Sequence, residues 1–169
     1  MNGANVAIGF STSNGIVSRV IRWFTKSKVS HAWVSFDSKT LGLRLIMHAT
    51  GGGYRLNHWE KWAAKNKVVA QFVSREDFTD GVRLMARQLG KKYDLWSALF
   101  LGFKRWVGKL FRNPVRNKDR LHCSEAITLL LQTHGYAANI DPESSTPGDL
   151  YQYCLKEDAF IEAPVAGEA

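Results

Sequence analysis

Along the first half of the chain, apolar residues come in short runs bounded by Gly, Ser, Asn and Asp, the pattern of strands separated by turns. Residues 5–10 (NVAIGF) predict an opening strand. The Ser/Asn/Gly turn after it leads into a short helix near 15–25, with Ile16, Val20, Ile21 and Phe24 on one side. Residues 29–36 (VSHAWVSF) and 43–49 (LRLIMHA) predict two more strands, joined as a hairpin across the polar stretch 37–42 and closed by Gly51-Gly52-Gly53.

Asn57 is placed to cap a helix running to about 66, and 67–73 (KVVAQFV) predicts a further strand. Ser74, with Asp77 three residues on, resembles a helix start that runs to Leu89 before Gly90. Beyond Tyr93 the pattern turns helical: 94–111, then 124–134 stopped by Gly135, then a helix opening at Thr146-Pro147, where Pro suits the first turn. The elements predict an α+β fold, an antiparallel sheet packed against helices. They form one domain over 1–162, with a frayed tail at 163–169.

Composition narrows the class. The chain has 169 residues, 45% hydrophobic and 22% charged, enough to bury a core, which excludes a disordered tail, a collagen-like fibre and a disulfide miniprotein. The net charge of +8 favours phosphate, anionic lipid or an acidic wall polymer as a partner. Cys123 and Cys154 are too few for a disulfide framework and point to a reducing compartment. The first charge is Arg19, and the stretch before it is too rich in Asn, Ser, Thr and Gly to serve as a signal segment, so the default location is cytoplasmic.

Candidate chemistry follows from the hairpin. If 37–42 form its loop, Phe36 pairs with Leu43, and His31 falls opposite His48 on the same face of the sheet. One imidazole is then placed to orient the other. A slip of one residue would turn one of them away. Cys123 opens an apolar helix (AITLLLQ), where the helix dipole and unpaired N–H groups favour a thiolate. A thiol needs an imidazole to take its proton, so the three residues suit nucleophilic catalysis: Cys123 attacks a carbonyl, His31 accepts and returns the proton, and His48 holds the His31 tautomer. Backbone N–H groups at the start of the Cys123 helix are candidates to hold the oxyanion. Glu125, in the first turn, reads as a structural cap. His122, His58 and His134 read as structural or solvent-facing, and Cys154 as a packed small hydrophobe. No paired ligand spacing supports a metal site, and no cofactor is implied.

The motifs SHAWVSF, MHATGGG, KKYDLWSALF, HCSEAITLLL and STPGDL, in that order and spacing from Val6 to Leu150, resemble the circularly permuted NlpC-type papain-fold cysteine hydrolases. The lecithin retinol acyltransferase relatives share the permuted order, with the histidine strand before the cysteine helix. The resemblance implies a papain-like fold in which Cys123 is the nucleophile, His31 its partner and His48 the third polar residue. Many bacterial members carry Glu at that third position, and the acyltransferase relatives carry His. Tyr93 matches the family's Tyr-Asp pair, which implies a place lining the substrate site.

Tyr93, Trp96, Phe100 and Phe103 recur at helical spacing, as core or as a flap over the site. Just after them, Lys104, Arg105, Lys109, Arg112, Arg116, Lys118 and Arg120 stand against Asp119 alone, interleaved with Trp106, Val107, Leu110 and Phe111. Stretch 104–120 thus carries a net charge of +6 out of the chain's +8 and suits an anionic membrane surface. No nucleic-acid motif accompanies it. The expected activity is a cysteine hydrolase cleaving an amide in a peptide or cell-wall peptide through an acyl-thioester. The alternatives are a lipid-directed acyl hydrolase or acyltransferase, and a non-catalytic basic binding module.

Overall fold

The computed structural model describes residues 5–93 and 120–165. In chain order its elements are β1 (Val6–Thr12), α1 (Ile16–Thr25), β2 (His31–Ser38), β3 (Leu43–Thr50), β4 (Gly53–His58), α2 (Trp59–Ala63), β5 (Lys67–Ser74), α3 (Thr79–Ala86), β6 (Lys92–Tyr93), β7 (Arg120–Leu121), α4 (Cys123–Gln132), α5 (Pro147–Lys156) and β8 (Phe160–Ala163). Six strands form one antiparallel sheet in the order β4-β3-β2-β1-β5-β8, so the class is α+β. Strands β6 and β7 form a separate parallel pair.

The alternation in β2 and β3 gives the sheet two apolar faces. Ala32, Val34, Met47 and Ala49 join the main core, covered by Ile127, Leu130 and Leu131 of α4. Trp33 and Ile46 point the other way and pack against Trp59 and Trp62 of α2. Trp33 stands across from Gly9 in the ladder, and its ring occupies the space of a Gly9 side chain: a Cβ there would lie 2.0 Å from the indole. Only glycine lets the indole lie against the strand.

The hairpin register differs from expectation. Phe36 pairs with Leu45, not Leu43, and Trp33 pairs with His48. Pairing continues to Ser38↔Leu43, leaving a tighter turn, because Asp37 and Ser38 extend the strand instead of joining the loop. The helix expected from Asn57 also starts later. Gly51 and Gly52 make a short turn, and the chain folds back as β4, with Asn57 in the ladder across from Ile46. A two-glycine turn between extended runs is a strong hairpin signal, and here it outweighs the capping preference of Asn.

The third helix begins at Thr79, where the Asp77 carboxylate accepts the Thr79 N–H at 2.9 Å. Helix α5 opens as expected at Thr146-Pro147, with the Thr146 hydroxyl accepting the Asp149 N–H at 3.2 Å. Strand β8 was not anticipated. It pairs Phe160–Ala163 along β5, and the Gln71 amide donates to the Pro164 carbonyl. The predicted helix 94–111, its aromatic stripe after Tyr93, and stretch 104–120 apart from the Arg120 backbone lie outside the described residues. No helix among the described residues is long and apolar enough to cross a membrane.

Candidate active site

His31 opens β2, and a hydroxyl network fixes the chain just before it. The Ser30 N–H donates to the Ser11 carbonyl at 3.1 Å, the Ser18 and Ser30 hydroxyls meet at 2.7 Å, and Thr12 and Ser18 meet at 3.2 Å. Helix α1 is thereby tied to the start of β2. His48 lies in the middle of the sheet, 6% exposed, with its ring centroid 5.5 Å from that of Trp62. The tryptophan face therefore does more than fill space; it shields His48 from water.

The two imidazoles meet, as expected, but by a different pairing. His31 Nε2 lies 3.3 Å from His48 Nδ1, although His48 pairs with Trp33 and not with His31. The register is shifted by two residues, which preserves the face, so the rings meet diagonally. The Asn57 side chain stands close enough to His48 to favour its protonated ring. Asn57 was missed as a site residue because it was read as a helix cap.

Both rings are held neutral. Burial, joined by repulsion from His48, lowers the His31 pKa to about 3. Burial lowers that of His48 to about 4, with Arg55 adding to the effect and the Asn57 bond opposing it.

Cys123 is the first residue of α4, 4% exposed and unbridged. Its sulfur accepts from the backbone N–H groups of Ala32, Ser124 and Cys123 itself. Ala32 is the residue after His31, so the sulfur meets the β2 backbone one position along from that histidine. Burial nevertheless raises the thiol pKa, outweighing those three donors. At rest the thiol and both imidazoles are neutral. Tyr54 of β4 is also close: a charged Cys123 raises its pKa, as burial does more strongly, and its hydroxyl is buried without a hydrogen-bond partner among the described residues. Nothing in the sequence singled it out beyond the Gly51–Gly53 run that precedes it.

The other candidates sort cleanly. The Glu125 carboxylate accepts the His122 N–H at 3.3 Å and sits 3.0 Å from His122 Nδ1, so both belong to the cap of α4. His134 Nε2 accepts the Gly81 N–H at 3.1 Å, a structural role. His58 sits at the start of α2, 4.0 Å from Glu60. Cys154 is buried in the core. The Tyr93 backbone pairs with Leu121, two positions before Cys123. Among the described residues, no group of three His, Cys, Asp or Glu side chains is placed to hold a metal ion.

A cleft of about 360 Å³ opens over the imidazole pair, lined by Ser11, Ser18, Ser30, His31, His48 and Trp62 among others. No Asp, Glu, Lys or Arg is among its described lining residues, and neither is Cys123. The surface offers hydroxyl and ring groups to an uncharged polar ligand. Comparison with known proteins finds no matching family model and no matching curated relative.

Proposed function

We propose that this protein is a cysteine hydrolase of the circularly permuted papain-like type, cleaving an amide bond in a peptide or cell-wall peptide through an acyl-thioester on Cys123. The observation that carries this reading is the 3.3 Å contact of the His31 and His48 imidazoles, with the residue after His31 turning its N–H to the Cys123 sulfur.

In the proposed cycle the Cys123 proton passes to His31 as Sγ bonds the substrate carbonyl carbon. The oxyanion is held by N–H groups at the start of α4 and by the Tyr54 hydroxyl, which has no other partner among the described residues. Collapse breaks the C–N bond, and the leaving amine takes the proton from His31. Water then attacks the thioester with His31 as base, releasing a carboxylic acid and restoring the thiol. His48 and Asn57 position His31 and take no proton.

An ester is the second substrate class, favoured by the cleft's lack of charged lining. Incubation with cell-wall stem peptides and, separately, with phospholipid vesicles separates the two by release of amine or of fatty acid. Either release must vanish in Cys123→Ala. Function retained in that variant would identify a non-catalytic binding module instead.

A further inference from the structure

Helix α1 turns apolar side chains in two directions. Ser18 and Ile21 are buried against the rest of the fold, and Val17, Ser18 and Ile21 border the imidazole cleft. The sequence groups Ile16 on one side of the helix with Val20, Ile21 and Phe24. Ile16 is 79% exposed, and Trp23 is 67% exposed. Residues 16, 19, 20 and 23 are three and four apart, so they form one stripe on the helix. Ile16, Arg19, Val20, Arg22 and Trp23 line a shallow surface groove separate from the cleft.

Leaving a large apolar side chain in water forgoes its burial, so two on one stripe of a helix call for a partner. The charge around them indicates which. From the start of the chain to Phe36 there is no Asp or Glu, whereas Arg19, Arg22, Lys26 and Lys28 all fall on or just after α1. An apolar ridge flanked by cations, with a tryptophan at its edge, fits the boundary between phospholipid headgroups and acyl chains.

We propose that α1 docks the protein on an anionic phospholipid surface, with Ile16, Val20 and Trp23 entering the headgroup layer and Arg19 and Lys26 facing the lipid phosphates. Each cation near such a surface adds to the attraction. A nucleic-acid backbone would use the arginines but leave Ile16 in water. A second copy would bring like charges together across its two-fold axis. The bilayer satisfies both the apolar and the basic groups. Docking would also place the cleft, bordered by the other side of α1, beside the membrane. The proposal does not depend on Cys123 chemistry.

The test is flotation of the full chain with vesicles of phosphatidylcholine alone or of equal phosphatidylcholine and phosphatidylglycerol. The wild type should float with the anionic vesicles and stay behind with the neutral ones, and raised salt should release it. Ile16→Ser with Trp23→Ser should weaken binding at least tenfold, and Arg19→Gln several-fold. Both sites are exposed, so the circular dichroism spectrum and melting temperature should not change. Absence of flotation overturns the proposal, as does flotation unaffected by the Ile16/Trp23 pair. RNA capture or dimerisation without vesicle binding also overturns it.

Discussion

His31 Nε2 approaches His48 Nδ1 to 3.3 Å across strands in which the two residues are not paired. A shift of two along β3 keeps His48 on its face, and the longer diagonal is bridged by two imidazole rings. The proposed division of labour gives different losses at the three positions. His31→Ala should slow acyl transfer by about 10²–10⁴, the range of a general base. His48→Ala and Asn57→Ala should each slow it by roughly 10–100 through misorientation of His31. Steady-state rates of the three variants check this, and equal losses at His31 and Asn57 would refute the division.

Tyr54 separates catalysis from stability. Its hydroxyl is buried and has no partner among the described residues, so Tyr54→Phe removes an unsatisfied polar group and should leave the melting temperature unchanged or raise it. The same substitution should lower the acylation rate about 10²-fold, the usual loss of an oxyanion donor. Thermal melts and acylation rates on one preparation test both signs. A destabilised variant with full activity would make Tyr54 purely structural.

The neutral resting state sets the pH response of the nucleophile. Because burial raises the Cys123 pKa, alkylation by iodoacetamide should climb through the alkaline range, with its midpoint above that of an ordinary thiol. At 4% exposure the thiol should also react faster with that small reagent than with a bulky maleimide. Mass spectrometry of Cys123 from pH 5 to 10 measures both. A flat plateau through neutrality would mean a preformed thiolate–imidazolium pair.

Acid should unfold the protein through the same imidazoles. Both have folded pKa values, about 3 and about 4, below the unfolded value of 6.5. As pH falls below 6.5 the unfolded chain takes up protons that the folded sites refuse, so stability falls, by at most about 1.4 kcal/mol per pH unit for each ring. Above 6.5 both states are neutral and the dependence disappears. Urea titrations at pH 7, 5.5 and 4.5 should show the decline, flattened in His48→Gln. A stability rising toward pH 4.5 would contradict the buried neutral pair.

The two strands bearing His31 and His48 and the helix opened by Cys123 could be read from the sequence because their signals are local: period-two alternation, and an apolar run after a polar start. The exact partner of Phe36 could not. Whether Asp37 and Ser38 end a strand or begin a loop depends on the neighbouring strands, and both choices put the histidines on one face. Asn57 shows the converse failure: a residue type favoured at helix starts was held in the ladder by the turn before it. The outward turn of Ile16 was hidden because helical spacing gives a stripe but not which side the sheet covers. Tyr54 gave no signal, since its significance rests on a missing hydrogen-bond partner, which only packing reveals.

The most direct measurement is mass-spectrometric capture of an acyl group on the protein after incubation with cell-wall and lipid extracts and rapid acid quenching. The proposed mechanism predicts an acyl adduct on Cys123, longer-lived when water attack is slowed and absent from Cys123→Ala. An adduct confined to Cys154 or to lysines, or turnover that continues in Cys123→Ala, would contradict it.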